Sequence, residues 1–387
     1  MWRCPELLNR PPRAACVTVA LIAACLIAPA AAEQAPPRTN RNIGAVGIIS
    51  GGPGGTYIQM ATDLSFVHDD LVKYTLRVVP MVGRGSVQNI DDLLFLKGVD
   101  FAIVQEDVLA HFALTEDGQR KAKQIRYVTR LHNEEVHVLA RAGIARISDL
   151  AGRKVSVGAA GSGHALTASV LLRQYRISVE ELSLDPATSL AKLRAGEIDA
   201  MIFVAGKPVA LFQNLNRTDQ VHFLPVDEPS LRDLYVDAEL SPKDYRDLLD
   251  RPVRTVMVGA VLAAFGSFQD GSDRAKKSCA FVAQFFDKLH ELRLPGRHAK
   301  WNEVDIHAGV KNWQRLGCAA DWLKNNPQRD LCAGAKVDPT FLRIYRESLM
   351  DRYPAMRDTL RSWPDERLLD FLKDDRKLRS QQLSCIR

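Results

Sequence analysis

From Ile43 to Ile49 the chain is a short apolar, β-branched run with the signature of a strand. Ser50-Gly51-Gly52-Pro53-Gly54-Gly55 breaks it, and Thr56 to Ala61 opens a helical pattern. The device recurs. Leu76 to Pro80 is a second strand, followed by the turn Val82-Gly83-Arg84-Gly85-Ser86. Helical spacing then runs from Val87 to Leu96, with Ile90, Leu93 and Leu94 on one face. Asp100 to Val104 is a third strand, ending at Gln105-Glu106-Asp107 ahead of a helix from Val108 to Leu114. Three β–turn–α units in a row predict a parallel sheet with helices on its faces. In such sheets ligands collect beyond the carboxyl ends of the strands.

Arg126 to Leu131 and Glu135 to Ala140 read as two more strands. Lys154 to Val157 is another, ending at Gly158-Ala159-Ala160-Gly161-Ser162-Gly163-His164 before a helix from Ala165 to Tyr175. This repeats the opening device: strand, glycine turn, hydroxyl, helix. Ser189 to Leu193 reads as a helix, and Asp199 to Val204 as a strand stopping at Ala205-Gly206-Lys207-Pro208. Val253 to Ala264 is strongly β-branched. Beyond it the pattern is helical, with Cys279 to Leu289 amphipathic and a tail from Trp313 that reads as helices packed on the outside.

Glycine turns let a backbone approach a ligand, and the free N–H groups of a helix start favour a carboxylate or phosphate. The candidate ligand-binding residues are therefore Gly55, Thr56 and Tyr57 at the first turn, Arg84, Gly85 and Ser86 at the second, and Gln105 at the third. Ser162, Gly163 and His164 are their counterparts in the later unit, with Gly206 and Lys207 at the end of its last strand. Each has a plainer role beside it. Thr56 caps a helix and Tyr57 fills a core. Arg84 takes a carboxylate in bidentate fashion, or it faces solvent or pairs with an acid such as Asp107. Lys207 neutralises an acid ligand or, on a slight preference, is simply solvated.

Catalytic signatures fail on inspection. No Gly-Lys-Ser/Thr follows the first loop, and a dinucleotide fingerprint counted from Gly52 puts Tyr57 at the third glycine position. A nucleophile elbow around Ser162 would need glycines at Ala160 and His164. His132 and His137 do not make a zinc-protease motif, and on a strand they face opposite sides. No catalytic residue, metal ligand or cofactor is expected, and an enzyme resembling the α/β hydrolases is the least supported reading.

Charge and the N-terminus add a compartment. Arg3, Arg10 and Arg13 precede the apolar stretch Ala14 to Pro29, and Ala30-Ala31-Ala32 supplies small residues before Glu33. This is the pattern of a secretory signal over residues 1–32, with a linker at 33–42. A lipobox-like Ile22-Ala23-Ala24-Cys25 offers lipidation of Cys25 as the alternative, and the apolar run to Ala32 favours plain cleavage. The segment removed carries three Arg and one Glu, leaving 49 basic and 45 acidic side chains and a mild net charge of +4. No block of like charges points to nucleic acid or to a membrane surface. Cys279, Cys318, Cys332 and Cys385 remain in the exported part and allow three pairings. Closeness in sequence makes Cys318–Cys332 the first choice, with Cys279–Cys385 the remainder.

Taken as an ordered set, several stretches resemble one family. They are Gly51 to Tyr57, Gly85-Ser86-Val87-Gln88-Asn89, Val104-Gln105-Glu106-Asp107, Asp149 to Gly158, Gly161-Ser162-Gly163, Ala205-Gly206-Lys207-Pro208 and Asp305 to Val310. Together they look like the TAXI-type solute-binding proteins of tripartite ATP-independent periplasmic (TRAP) transporters. The chain departs from that family at Arg84, where a small residue is usual, at Ala308, where Pro is usual, and in its longer tail.

The resemblance implies an α/β, two-lobed type II periplasmic binding-protein fold with hinge strands and a helical C-terminal extension. It places lobe one at residues 43–137 plus 256–312, lobe two at 138–255 and the extension at 313–387. It further implies a non-catalytic periplasmic receptor, monomeric, that captures a small anionic organic solute for an integral membrane permease. Glutamate-like amino acids and carboxylates are the solutes it suggests. A periplasmic sensor or adaptor for another membrane partner is the alternative.

Overall fold

The computed structural model describes residues 44–69, 76–268, 271–326, 346, 349–350, 354–364 and 367–368. The signal segment, the linker, Cys332 and Cys385 lie outside them. The first half of the chain alternates strand and helix: β1 (Ala45–Ile49), α1 (Thr56–His68), β2 (Arg77–Met81), α2 (Ser86–Phe95), β3 (Phe101–Gln105), α3 (Glu106–Leu114) and α4 (Glu116–Lys121). The long strand β4 (Ile125–Arg141) leads to β5 (Lys154–Ser156), α5 (Gly163–Gln174), β6 (Glu180–Leu182), α6 (Pro186–Arg194) and β7 (Ala200–Ala205). Two short strands, β8 (Val221–Phe223) and β9 (Val236–Leu240), precede the second long strand β10 (Val253–Phe265). Helices α7 (Asp273–Asp287), α8 (Leu289–Leu292) and α9 (Gly317–Asn325) follow.

The ten strands of the described residues belong to one curled sheet in the order β2-β1-β3-β10-β4-β7-β5-β6, with β8 added to β4 and β9 to β10. The pairs β1–β2, β1–β3, β5–β6 and β5–β7 are parallel, as alternating β and α elements require. β4 and β10 run antiparallel to each other down the middle and serve both lobes. From Ile125 to Glu135, β4 pairs with β10; from Glu135 to Ala140 it pairs with β7. β4 exchanges β10 for β7 as its partner at Glu135.

The sequence predicts two strands here, broken at the polar His132-Asn133-Glu134. The structure has one, because β10 supplies backbone partners through the break: Gly259 opposite Asn133, Val258 opposite Glu134 and Met257 opposite Glu135. The hydrophobic cores divide accordingly. Two clusters cover the faces of the β2-β1-β3 end, one built on Phe281, Phe285, Phe286 and Trp301 and one on Ile90, Leu93 and Val108. Two others cover the β7-β5-β6 end.

The disulfide expectation is corrected. Cys279 on α7 joins Cys318 on α9, with Cα atoms 5.7 Å apart. The pairing is set by packing rather than by closeness in sequence. α7 buries Phe286, whose ring meets Trp322 of α9 edge-on at 5.2 Å, and that contact brings the two cysteines together. Among the described residues no helix is long and apolar enough to cross a membrane.

Candidate functional site

The carboxyl ends of β1, β2 and β3 open directly into α1, α2 and α3. Their N-caps are Gly55, Gly85 and Gln105, and none of the three supplies a side-chain cap. The first turn of a helix has N–H groups with no partner inside it, so three donor sets converge on the same edge of lobe one. The helix start facing them from lobe two is different. Ser162 caps α5 with its own hydroxyl, which accepts from the Ala165 N–H at 3.3 Å.

The two lobes touch at these turns. Gly85 has φ +118°, a conformation that favours glycine, and a Cβ there would lie 2.9 Å from Ser162 Cα. A Cβ at Gly163 would fall 1.6 Å from Gln105 Oε1 and 2.9 Å from Ser86 Oγ. Polar bonds cross the same gap. The Gln88 N–H donates to the Gly161 carbonyl at 3.0 Å. The Thr56 hydroxyl donates to the Gly206 carbonyl at 3.3 Å. Gln105 Nε2 donates to Thr167 Oγ1 at 3.0 Å, and Thr167 in turn donates to Asp107 Oδ2 at 2.8 Å. The Tyr235 hydroxyl reaches the same carboxylate oxygen at 3.0 Å.

A second polar group sits where β4 changes lobes. The Tyr57 hydroxyl donates to Glu134 Oε2 at 2.5 Å. Burial pushes the Glu134 carboxyl up to about 8, against the downward pull of the Tyr57 bond. Burial and then Glu134 push the Tyr57 phenol well above its ordinary value. Glu135 beside it has a cation partner. Lys300 Nζ lies 2.8 Å from Glu135 Oε1 and 2.8 Å from Glu303 Oε1. Burial alone would lower that ammonium, but the two carboxylates hold it above its ordinary value.

His132, fully buried, meets the Tyr57 ring edge-on at 6.2 Å. Burial and then Lys300 keep its ring neutral. Neither of its ring nitrogens has a protein hydrogen-bond partner.

The residues singled out in the sequence fall into two groups. Gly55, Thr56, Tyr57, Gly85, Ser86 and Gln105 come together on lobe one, where Ser86 Oγ accepts from the Gln105 N–H at 3.0 Å. Arg84 stands exposed at their rim, with no ion-pair partner within 4 Å among the described residues. On the lobe-two side, Ser162 is occupied as a helix cap. His164 accepts from the Val204 N–H at 3.2 Å and packs on Phe203 at 4.6 Å. Lys207 is a correction to the solvated reading. Its ammonium bonds Asp244 at 3.0 Å and the Glu239 carbonyl at 2.6 Å, while its backbone N–H is held by Glu135 at 2.8 Å.

Sequence reasoning overlooked Glu134, Lys300, Thr167 and Tyr235, and it gave Asp107 only as a partner for Arg84. One signal was there to find. Two adjacent carboxylates, Glu134 and Glu135, lie between two strand-like runs, and acids that become buried need partners. Thr167, Tyr235 and Lys300 carry no such mark, since each reaches the cleft only through the fold.

The fold defines a two-lobed α/β protein whose helix starts meet at the junction of the lobes. Within that class, the chain belongs to the NMT1-like family, matched over residues 48–271. Solved structures match it at low identity. A periplasmic binding protein, BugD, is 11% identical, covering 73% of this chain and 94% of its own, with a TM-score of 0.46. A TctC solute-binding protein from Polaromonas is 14% identical over 64% and 87%, with a TM-score of 0.35. The aliphatic sulphonate binding protein SsuA from Escherichia coli is 15% identical over 83% and 92%, with a TM-score of 0.36.

Proposed function

We propose that this chain is an exported, periplasmic, non-catalytic solute-binding receptor of the TAXI type. It captures a small anionic organic solute between its lobes and presents the closed form to the membrane permease of a TRAP transporter. The observation that carries the reading is the set of three lobe-one helix starts, at Thr56, Ser86 and Glu106, whose N-cap residues supply no side-chain acceptor; the third N–H of α2 and of α3 is taken by the Gly161 carbonyl and by Asp107, and the proposed donors are the N–H groups ahead of these. Such a convergence suits a carboxylate. Thr56, Tyr57, Ser86 and Gln105 are the proposed polar contacts, with Gly55 and Gly85 allowing close approach. Arg84 approaches the carboxylate from the rim. Lobe two contributes the backbone of Ser162, Gly163, His164, Gly206 and Lys207, whose side chains, where present, are engaged within the protein. Membership of the NMT1-like family and the ordered motifs support a receptor; the permease and the anionic character of the solute rest on the motifs and on these helix starts.

Closure follows from differential contact. A solute touching both lobes stabilises the arrangement in which they meet, and the permease reads that arrangement. The test is a thermal-shift screen of the mature chain against amino acids, mono- and dicarboxylates and phosphate esters. A solute bound only to the folded state adds about 2.7 kcal/mol at a hundredfold over its dissociation constant. Arg84→Ala is expected to weaken an acidic hit at least tenfold by calorimetry without lowering the melting point; unchanged affinity removes Arg84 from the site. No shift with any compound, together with no small molecule released on denaturation, overturns the receptor reading.

A further inference from the structure

Asp107 is the most heavily bonded polar group between the lobes. It belongs to the first turn of α3 in lobe one, yet its carboxylate accepts from two side chains of lobe two. Thr167 of α5 donates to Oδ2 at 2.8 Å, and Tyr235 donates to the same oxygen at 3.0 Å. On its own side it accepts from the Val108 N–H at 2.8 Å and from Gln105 Nε2 at 3.4 Å. Gln105 also donates to Thr167, so the side chains of Asp107, Thr167, Tyr235 and Gln105 form one closed network across the gap. A half-buried carboxylate is still costly unless donors surround it, and two of its four come from the other lobe. Around the network the Gly85 backbone lies against that of Ser162 and Gly163, and Gly163 lies against the Gln105 side chain.

We propose that Asp107 is a latch: through Thr167 and Tyr235 it fastens the two lobes by the chain's own groups, so that the closed arrangement is populated before any solute adds its contacts. Asp107 then acts as a positioning residue for capture. The proposal rests on the receptor reading only for the purpose of the movement.

The fold provides a reporter. Gln88 is the third residue of α2, so its N–H has no partner within the helix, and its bond to the Gly161 carbonyl of lobe two is broken whenever the lobes part. The experiment is residue-resolved hydrogen exchange on the mature, disulfide-bonded chain in buffer free of amino acids and carboxylates. It compares wild type with Asp107→Ala and with the double variant Thr167→Val/Tyr235→Phe.

The Gln88 amide is expected to be protected in wild type and to exchange at least tenfold faster in both variants. Core amides of β1 and β7 should keep their rates. A merely structural role for Asp107 would speed the core amides together with Gln88. The double variant approaches the latch from lobe two and keeps all of Asp107, so it decides the matter if Asp107→Ala does not fold. An unprotected Gln88 amide in wild type, or an unchanged rate in a folded variant, overturns the latch. Because no solute is present, that failure leaves the receptor reading standing, and a failed solute screen leaves this test standing.

Discussion

The two glycine turns at Gly51–Gly55 and Gly158–Gly163 look alike in sequence and do different work in the fold. The first ends in a helix whose N-cap, Gly55, offers no side chain, and its next two residues reach outward, Thr56 to the Gly206 carbonyl and Tyr57 to Glu134. The second ends in a helix capped by its own Ser162, with Gly163 pressed against Gln105. One turn gives its helix start no side-chain acceptor; the other takes the Ala165 N–H with Ser162 and stands as a wall against Gln105. Whether a glycine turn is a ligand cradle therefore depends on what the residue at the N-cap does, and a hydroxyl there argues for the wall.

The largest test of this asymmetry concerns Glu134, the partner of Tyr57, for which the second turn has no equivalent. Its carboxyl stands at about 8 in the folded chain against an ordinary 4.5. Between those values the folded state holds more protons than the unfolded one, so stability falls as pH rises from about 4.5 to 8, by up to about 1.4 kcal/mol per unit, and levels off above. Glu134→Gln should flatten that slope in denaturant titrations at several pH values. A slope equal to wild type would detach Tyr57 from the difference between the turns.

Next in size is the disulfide behind lobe one. Removing it with Cys279→Ser/Cys318→Ser opens a link across a sequence separation of 39 and should cost about 4 kcal/mol of stability on the chain-entropy account. Solute affinity should not move, because α7 and α9 lie away from the helix starts. A loss of affinity would mean that the open turn owes its character to the packing behind it.

Paired substitutions in the two turns come third. Gly163→Ala drives a methyl into Gln105 and should weaken closure by about 2 kcal/mol, the usual range for overpacking, seen as a more than tenfold loss of solute affinity. At Gly55 a Cβ meets only the Gly52 carbonyl at 3.3 Å, and Gly55→Ala should stay within about 1 kcal/mol. Equal effects would erase the distinction. Smallest is Ser162→Ala, expected to lower the melting free energy by about 1 kcal/mol through the lost cap while leaving solute affinity alone. An affinity loss exceeding the stability loss would return Ser162 to the binding side.

Much of the scaffold was legible in the chain. The three β–turn–α units appear where the apolar runs and glycine turns place them, because both signals are local. β4 was read as two strands since His132-Asn133-Glu134 is polar, and only its partner β10, more than a hundred residues away, makes the stretch continuous. Thr56, Tyr57, Ser86 and Gln105, candidates because of their positions after strands, do come together on lobe one. Lys207 was misread as solvated because Asp244 and Glu239 lie far along the chain, and the cysteine pairing was misread for the same reason.

By itself the sequence determined the alternation of strand and helix, the glycine turns and the polar residues beside them, since each depends on side chains within a few positions of one another. The tertiary structure decided that Ser162 caps a helix while Thr56 reaches across to the other lobe, that Glu134 is buried against Tyr57, and that Asp107 holds Thr167 and Tyr235. Those outcomes depend on which buried groups find a partner, and a partner is supplied by distance in space, which no local pattern records.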